Sequence, residues 1–113
     1  MSETEVKKVV KQKPTKLLWV DLEMTGLDPN VEVITELAAL VSDFKLNIEA
    51  EYEAVVHYSS EYLKKKFDAE PNGFWNSMPE ERDKLLKSCS QSKLSLEDIE
   101  NALIEICKKN FPK

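Results

Sequence analysis

The sequence is short of the residues that would staple, anchor or charge a small domain. Cys89 and Cys107 are the only cysteines in 113 residues. They share no Cys-x-x-Cys or Cys/His spacing, which argues against a disulfide scaffold or a structural zinc site. Reduced thiols in an intracellular protein are the expectation, the cytoplasm first, with mitochondrion and nucleus left open. No apolar run approaches the roughly 18 residues of a membrane span, and the N-terminus carries acids among its lysines without an apolar signal core. Positive charge is also in deficit: 16 basic against 21 acidic residues leave a net charge of -5. Bulk electrostatics would therefore repel nucleic acid, and a phosphate-bearing partner would need a metal or a local patch.

What is there fits one domain, with 42% hydrophobic and 33% charged residues. Residues 1–16 hold Lys7, Lys8, Lys11, Lys13 and Lys16 with little apolar content and read as a flexible basic arm, leaving 17–113 as the folded part. From Leu17 the chain runs Leu-Leu-Trp-Val-Asp-Leu-Glu, a buried strand by its apolar start. A loop follows over Met24–Asn30, where Gly26 permits unusual backbone angles and Asp28-Pro-Asn favours a turn. Val33–Phe44 reads as a second strand and Asp43–Asn47 as a hairpin turn. Strand character returns at Val55–Tyr58 after the Asn47–Glu53 stretch. Three helices are predicted next: Ser60 to about Phe67, a second opened by a Ser77-Met-Pro-Glu80 capping box and ending near Ser88, and a third opened by Ser95-Leu-Glu-Asp98. Leu96, Ile99, Leu103 and Ile106 give the third its apolar stripe, and Lys108 and Lys109 suit its C-terminal dipole.

Asp21 and Glu23 stand two apart at the end of the first strand, so both carboxylates project from one face. That arrangement suits a hard divalent cation. The spacing alone carries no weight, because this acid content yields roughly 0.8 Asp-x-Glu pairs by chance. Asp68-Ala-Glu70 repeats it in a polar stretch and reads as a solvated face. Context separates the first pair: two acids emerging from Leu17-Leu18-Trp19-Val20 are costly unless a cation or hydrogen bonds meet them. Metal binding and a plain strand end both remain open on context. Trp75 reads either as a core or interface residue or as a base-stacking face. His57, the only histidine, lies on a predicted strand and reads as a packed residue.

The block Trp19-Val-Asp-Leu-Glu-Met-Thr-Gly-Leu-Asp28 resembles the first exonuclease motif of the oligoribonucleases, a branch of the DEDD exonucleases. The likeness continues less tightly through Glu36-Leu-Ala, Val41-Ser-Asp43, Leu46-Asn-Ile48 and Val55-Val-His57, and covers roughly residues 17 to 110. It implies an α/β, partial ribonuclease H-like fold: a three-stranded, mainly antiparallel sheet followed by helices. It further implies a 3′–5′ exoribonuclease that degrades short single-stranded RNA oligonucleotides to 5′-mononucleotides by two-metal-ion hydrolysis. Asp21 and Glu23 would be catalytic and hold Mg²⁺ or Mn²⁺. Met24, Thr25, Gly26 and Leu27 would border the terminal nucleotide, with Leu27 against its base, and Trp75 would be the second stacking residue. Glu36 matches a family position but reads as structural.

Two departures accompany the resemblance. The family's stretch after this tryptophan carries a His-Gly and a Ser that bind phosphate, whereas Trp75 is followed by Asn-Ser-Met-Pro-Glu-Glu. The family also needs two further aspartates and a histidine base, which this chain does not supply. His57 aligns elsewhere. The chain is thus expected to be the first half of such an enzyme, with later strands missing and Leu17–Val20 left as an exposed apolar edge. A homodimer, or pairing with a complete homologue as a catalytically incomplete regulator, is the corresponding expectation. The remaining reading is a small α+β interaction domain whose acidic pair merely ends a strand.

Overall fold

A computed structural model describes residues 14–112. Of the arm read over residues 1–16, residues 1–13 lie outside the described residues, and Lys16 opens the first strand. Three strands, β1 (Lys16–Met24), β2 (Ile34–Asp43) and β3 (Ile48–Val55), form one antiparallel sheet in the order β1-β2-β3. Alternation sets their faces, because successive side chains of a strand point opposite ways. Leu22, Leu37 and Ala54 are register partners, as are Val20, Ala39 and Tyr52, and these rows share one face. The intervening rows, Asp21-Ala38-Glu53 and Glu23-Glu36-Val55, share the other.

The alternation of Glu51 and Glu53 with Ala50, Tyr52 and Ala54 corrects the sequence reading of the third strand. The strand occupies the acidic stretch and ends at Val55, and Val56, whose amide donates to the Thr35 carbonyl at 2.8 Å, makes an isolated bridge to Leu94. Acid content hid a half-exposed strand whose period is two. The hairpin turn falls where expected. The Asp43 carboxylate accepts from the Lys45 and Asn47 amides at 2.8 and 2.9 Å and from Asn47 Nδ2 at 2.9 Å. These bonds hold Leu46 at a φ of 67°, a left-handed conformation uncommon for a leucine. They also hold the Asp43 carboxyl below its ordinary range, the Asn47 side-chain bond foremost.

Helices α1 (Ser60–Asp68), α2 (Pro79–Gln91) and α3 (Leu96–Asn110) follow, with a 3₁₀ turn over Trp75–Ser77. Ser59 caps α1 through the Tyr62 amide, and Ser95 with Asp98 forms the full capping box predicted for α3. The box predicted at Ser77 is absent. The 3₁₀ turn occupies Ser77, whose hydroxyl donates to the Phe74 carbonyl, so Met78 stands at the N-cap without a side-chain bond. Pro79 then supplies the first helical position, and α2 runs to Gln91, beyond the predicted Ser88.

Two apolar clusters result. Ile99 and Leu103 of α3 cover the sheet face of Leu37, Ala39 and Ala54, with Val56 beside them. Leu63 and Phe67 of α1 meet Leu85, Leu86 and Cys89 of α2, and Val33 and Val55 join this second cluster from the end of the sheet, Trp75 from the 3₁₀ turn. The α1–α2 pair is thereby brought beside the Glu23-Glu36-Val55 row. Tyr58 bridges both clusters, and its hydroxyl donates to the Ile34 carbonyl at 3.0 Å. β1 is not the buried strand that its apolar run alone suggests but the exposed apolar edge expected over Leu17–Val20: Leu18, Trp19 and Val20 are 37%, 48% and 47% exposed. Three antiparallel strands followed by helices make this a mixed α/β arrangement, consistent with a partial ribonuclease H-like exonuclease fold. Among the described residues no helix is long and apolar enough to cross a membrane.

Candidate nucleotide and metal site

The site begins with the pleat of β1. Asp21 and Glu23 project from the face opposite α3, and register places Glu53 two strands from Asp21 with Ala38 between them, and Glu36 directly beside Glu23. Because Ala38 is small, a hollow of about 530 Å³ remains, bordered by Asp21, Glu23, Glu36 and Glu53. Four carboxylates around one hollow repel each other. Glu36 registers this: partial burial first, then the charges of Glu23 and Glu53, push its carboxyl above the ordinary glutamate range.

Among the described residues no three His, Cys, Asp or Glu side chains form a closed metal-binding group. The donor set nonetheless fits Mg²⁺ or Mn²⁺. Its oxygens are hard, Asp21 and Glu23 are solvent-accessible, and Mg²⁺ characteristically takes one or two carboxylates and completes its shell with water and substrate phosphate.

Beyond Glu23 a register shift carries the pairing on to Met24 opposite Ile34, and the chain then enters the loop over residues 25–28. Thr25 is buried and its hydroxyl is fully occupied: it accepts from the Val33 amide at 3.0 Å and donates to Glu32 Oε1 at 3.2 Å. Gly26 is needed for a reason the sequence reading missed. It has no positive φ; a Cβ there would stand 1.8 Å from Glu32 Oε2, so the glycine admits the carboxylate that anchors Thr25. Leu27 at the loop's tip is 91% exposed, an apolar side chain with nothing over it.

Trp75 forms the opposite wall. Its indole N–H donates to the Met24 carbonyl at 2.8 Å, and its ring packs on Phe67 at a centroid distance of 6.1 Å. Phe74, 65% exposed, meets Trp75 edge-on at 5.5 Å. A cleft of about 610 Å³ lies between these walls, lined by Glu23, Met24, Thr25, Gly26, Leu27, Asp28, Glu70, Phe74 and Trp75, with Leu22 at its base. Glu23, Met24, Thr25, Gly26, Leu27 and Trp75 are thus gathered at one cleft, and Asp21 borders the adjoining hollow through the shared Glu23. One side of Trp75 packs against Phe67 and another lines the cleft.

A second, smaller hollow of about 300 Å³ opens on the other side of the Phe74–Trp75 ridge, where Glu23 and Glu36 face Lys84 and Ser88 of α2. Sequence reasoning passed over Phe74 and Lys84 and read Glu36 as structural. The alternating pattern of β2 together with the hairpin register was the signal that could have set Glu36 beside Glu23. His57 lines none of these hollows. It lies past β3, exposed and off the strand predicted for it, with Nδ1 3.1 Å from the Cys89 carbonyl oxygen. Of the Asp68/Glu70 pair, both are exposed, and Glu70 reaches the cleft's rim.

A family model described as Exonuclease matches residues 18–84, which include both β1 carboxylates, the loop and Trp75. The oligoribonuclease of Pseudomonas entomophila (strain L48) is 36% identical over 103 residues, 90% of this chain and 54% of that protein. The probable oligoribonuclease of Dictyostelium discoideum is 36% identical over 106 residues, 93% and 53% of the two chains. That of Actinobacillus pleuropneumoniae serotype 5b (strain L20) is 40% identical over 98 residues, 86% and 50%. The chain spans about half the length of the curated relatives it matches. With the matched segment holding the whole candidate cleft, the chain belongs to the exonuclease family, and its relatives at this level are oligoribonucleases.

Proposed function

We propose that this chain carries the metal-binding and nucleotide-gripping part of a 3′–5′ exoribonuclease site that shortens small RNA oligomers to 5′-mononucleotides. The observation that carries the reading is that the hollow bordered by Asp21 and the cleft lined by Leu27 and Trp75 adjoin and share Glu23. Asp21 and Glu23 hold Mg²⁺ or Mn²⁺, which supplies water activation and neutralises charge on the scissile phosphodiester. Leu27 and the Trp75 face sandwich the terminal base, a contact that tolerates any base because every base has a π-face. Thr25 and Gly26 hold the loop through Glu32, and Trp75 fixes the end of β1 through Met24. The remaining ligands and the proton acceptor come from water, the substrate and groups outside the described residues.

A second reading has its own support. The exposed apolar edge at Leu18, Trp19 and Val20 suits pairing with another chain, either a second copy or a complete homologue that this chain regulates without turning over substrate itself. One assay separates the two: shortening of a 5′-labelled RNA pentamer by the full chain with Mn²⁺, beside Asp21→Asn. Shortening lost in the variant supports the enzyme. No shortening by either protein, together with a stable complex with a complete homologue on sizing, supports the regulator.

A further inference from the structure

The smaller hollow beyond the Phe74–Trp75 ridge has a composition unlike the rest of the site. Its lining includes Glu23, Glu36 and Glu81, and among the described residues Lys84 is the one basic residue that lines it. Lys84 is there by helical period: Glu81, Lys84, Leu85 and Ser88 fall at i, i+3, i+4 and i+7 of α2 and form the face turned to the sheet's acids. Leu85, buried in the α1–α2 cluster, fixes that face, so the register of α2 cannot turn Lys84 away while the cluster is intact. Lys84 pairs with Glu81 at 3.5 Å, an exposed i,i+3 pair of the kind worth little in water. Its ammonium is free to exchange that contact for a better anion.

A phosphate entering beside Glu23 meets several negative charges on a chain of net charge -5. Divalent metal offsets part of this at Asp21 and Glu23, but leaves the Glu36 side of the ridge acidic. We propose that Lys84, with the half-buried Ser88 one turn on, is the phosphate-contacting and positioning element of this site, holding a nucleotide phosphate between α2 and Glu23. A lysine suits this role as a compact point charge on a flexible stem that reaches a phosphate oxygen without demanding a fixed fork geometry. The proposal rests on the nucleotide-binding reading of the cleft.

The test is equilibrium binding of uridine 5′-monophosphate and of uridine to the full chain at fixed Mn²⁺, followed by tryptophan fluorescence or calorimetry. Neither ligand can be cleaved by the proposed reaction, so the readout is independent of turnover. Lys84→Gln is expected to weaken the monophosphate about tenfold, to leave uridine unchanged, and to flatten the salt dependence of monophosphate binding. Lys84→Arg should retain most of the affinity, and Lys87→Gln, on the same helix but away from the hollow, all of it. Circular dichroism of each variant excludes loss of fold. If Lys84→Gln binds both ligands as the unsubstituted chain does while Trp75→Ala loses them, the lysine's role is refuted and the nucleotide site stands. If the unsubstituted chain binds neither ligand, the nucleotide reading falls and this inference falls with it.

Discussion

The Trp75 indole N–H reaches the Met24 carbonyl at 2.8 Å across 51 positions of sequence, tying the 3₁₀ turn to the end of β1. The bond joins the aromatic wall of the cleft to the strand end from which the Leu27 loop departs. It also separates two roles of one side chain. Trp75→Phe removes the donor but keeps an aromatic face, and should cost about 1–2 kcal/mol of stability on a urea melt. Trp75→Ala removes both and should additionally weaken nucleoside binding about tenfold or more. Equal nucleoside affinities for the two variants would show that the ring does not stack on a base.

Gly26→Ala is expected to act through Glu32. The added methyl displaces the carboxylate that stands where the Cβ would be, and the Thr25–Glu32 bond breaks at a cost of about 1 kcal/mol. In a Glu32→Ala background the same substitution should cost far less, because the clash is gone. A double-mutant cycle on denaturant midpoints reads this coupling directly.

Acid sensitivity should appear at the hairpin. Hydrogen bonds from Asn47 and Lys45 hold the Asp43 carboxyl below the 3.8 of an ordinary aspartate. A carboxylate depressed in the folded state contributes stability that is present above the unfolded value and is lost as pH falls through the folded one. Asp43→Asn should therefore lower stability at neutral pH and reduce its fall below about pH 4. Melting temperatures of both proteins across that range check the sign.

The two thiols should differ sharply in reactivity. Cys89 is fully buried, and burial first, then the charge of Glu36, pushes its thiol up to about 11. Cys107 is partly accessible on α3. Iodoacetamide at about pH 8 should label Cys107 alone until denaturant is added, read by intact mass and peptide mapping. Labelling of Cys89 at the same rate would mean that the α1–α2 cluster opens readily.

Local signals made much of this architecture legible. Ser95 with Asp98 marked the start of α3, and the apolar spacing from Ile99 to Leu103 marked its packed face. Asp43 to Asn47 announced the hairpin by side-chain bonds made within five residues. The misses share a cause, namely dependence on groups distant in sequence. Ser77 looked like a cap until the 3₁₀ turn from Trp75 claimed it, and β3 looked like a polar connection until the sheet supplied a face for its alternating alanines. The site divides the same way. Asp21, Glu23 and the loop lie within one short block and were readable there. Glu36, Glu53, Phe74 and Lys84 reach the site only through register, a turn and a helix face that no single segment specifies.

The register Asp21-Ala38-Glu53 links chemistry to folding in a way that concerns assembly. Strand side chains alternate with a period of two, so a slip of β1 by one residue would turn Asp21 and Glu23 inward against Ile99 and carry Leu22 out into the acids. Such a misaligned form would lose the contact of Leu22 with the α3 cluster and the carboxylate pair together. The inward seat of Leu22 and the outward placing of the two acids are therefore one and the same alignment of β1.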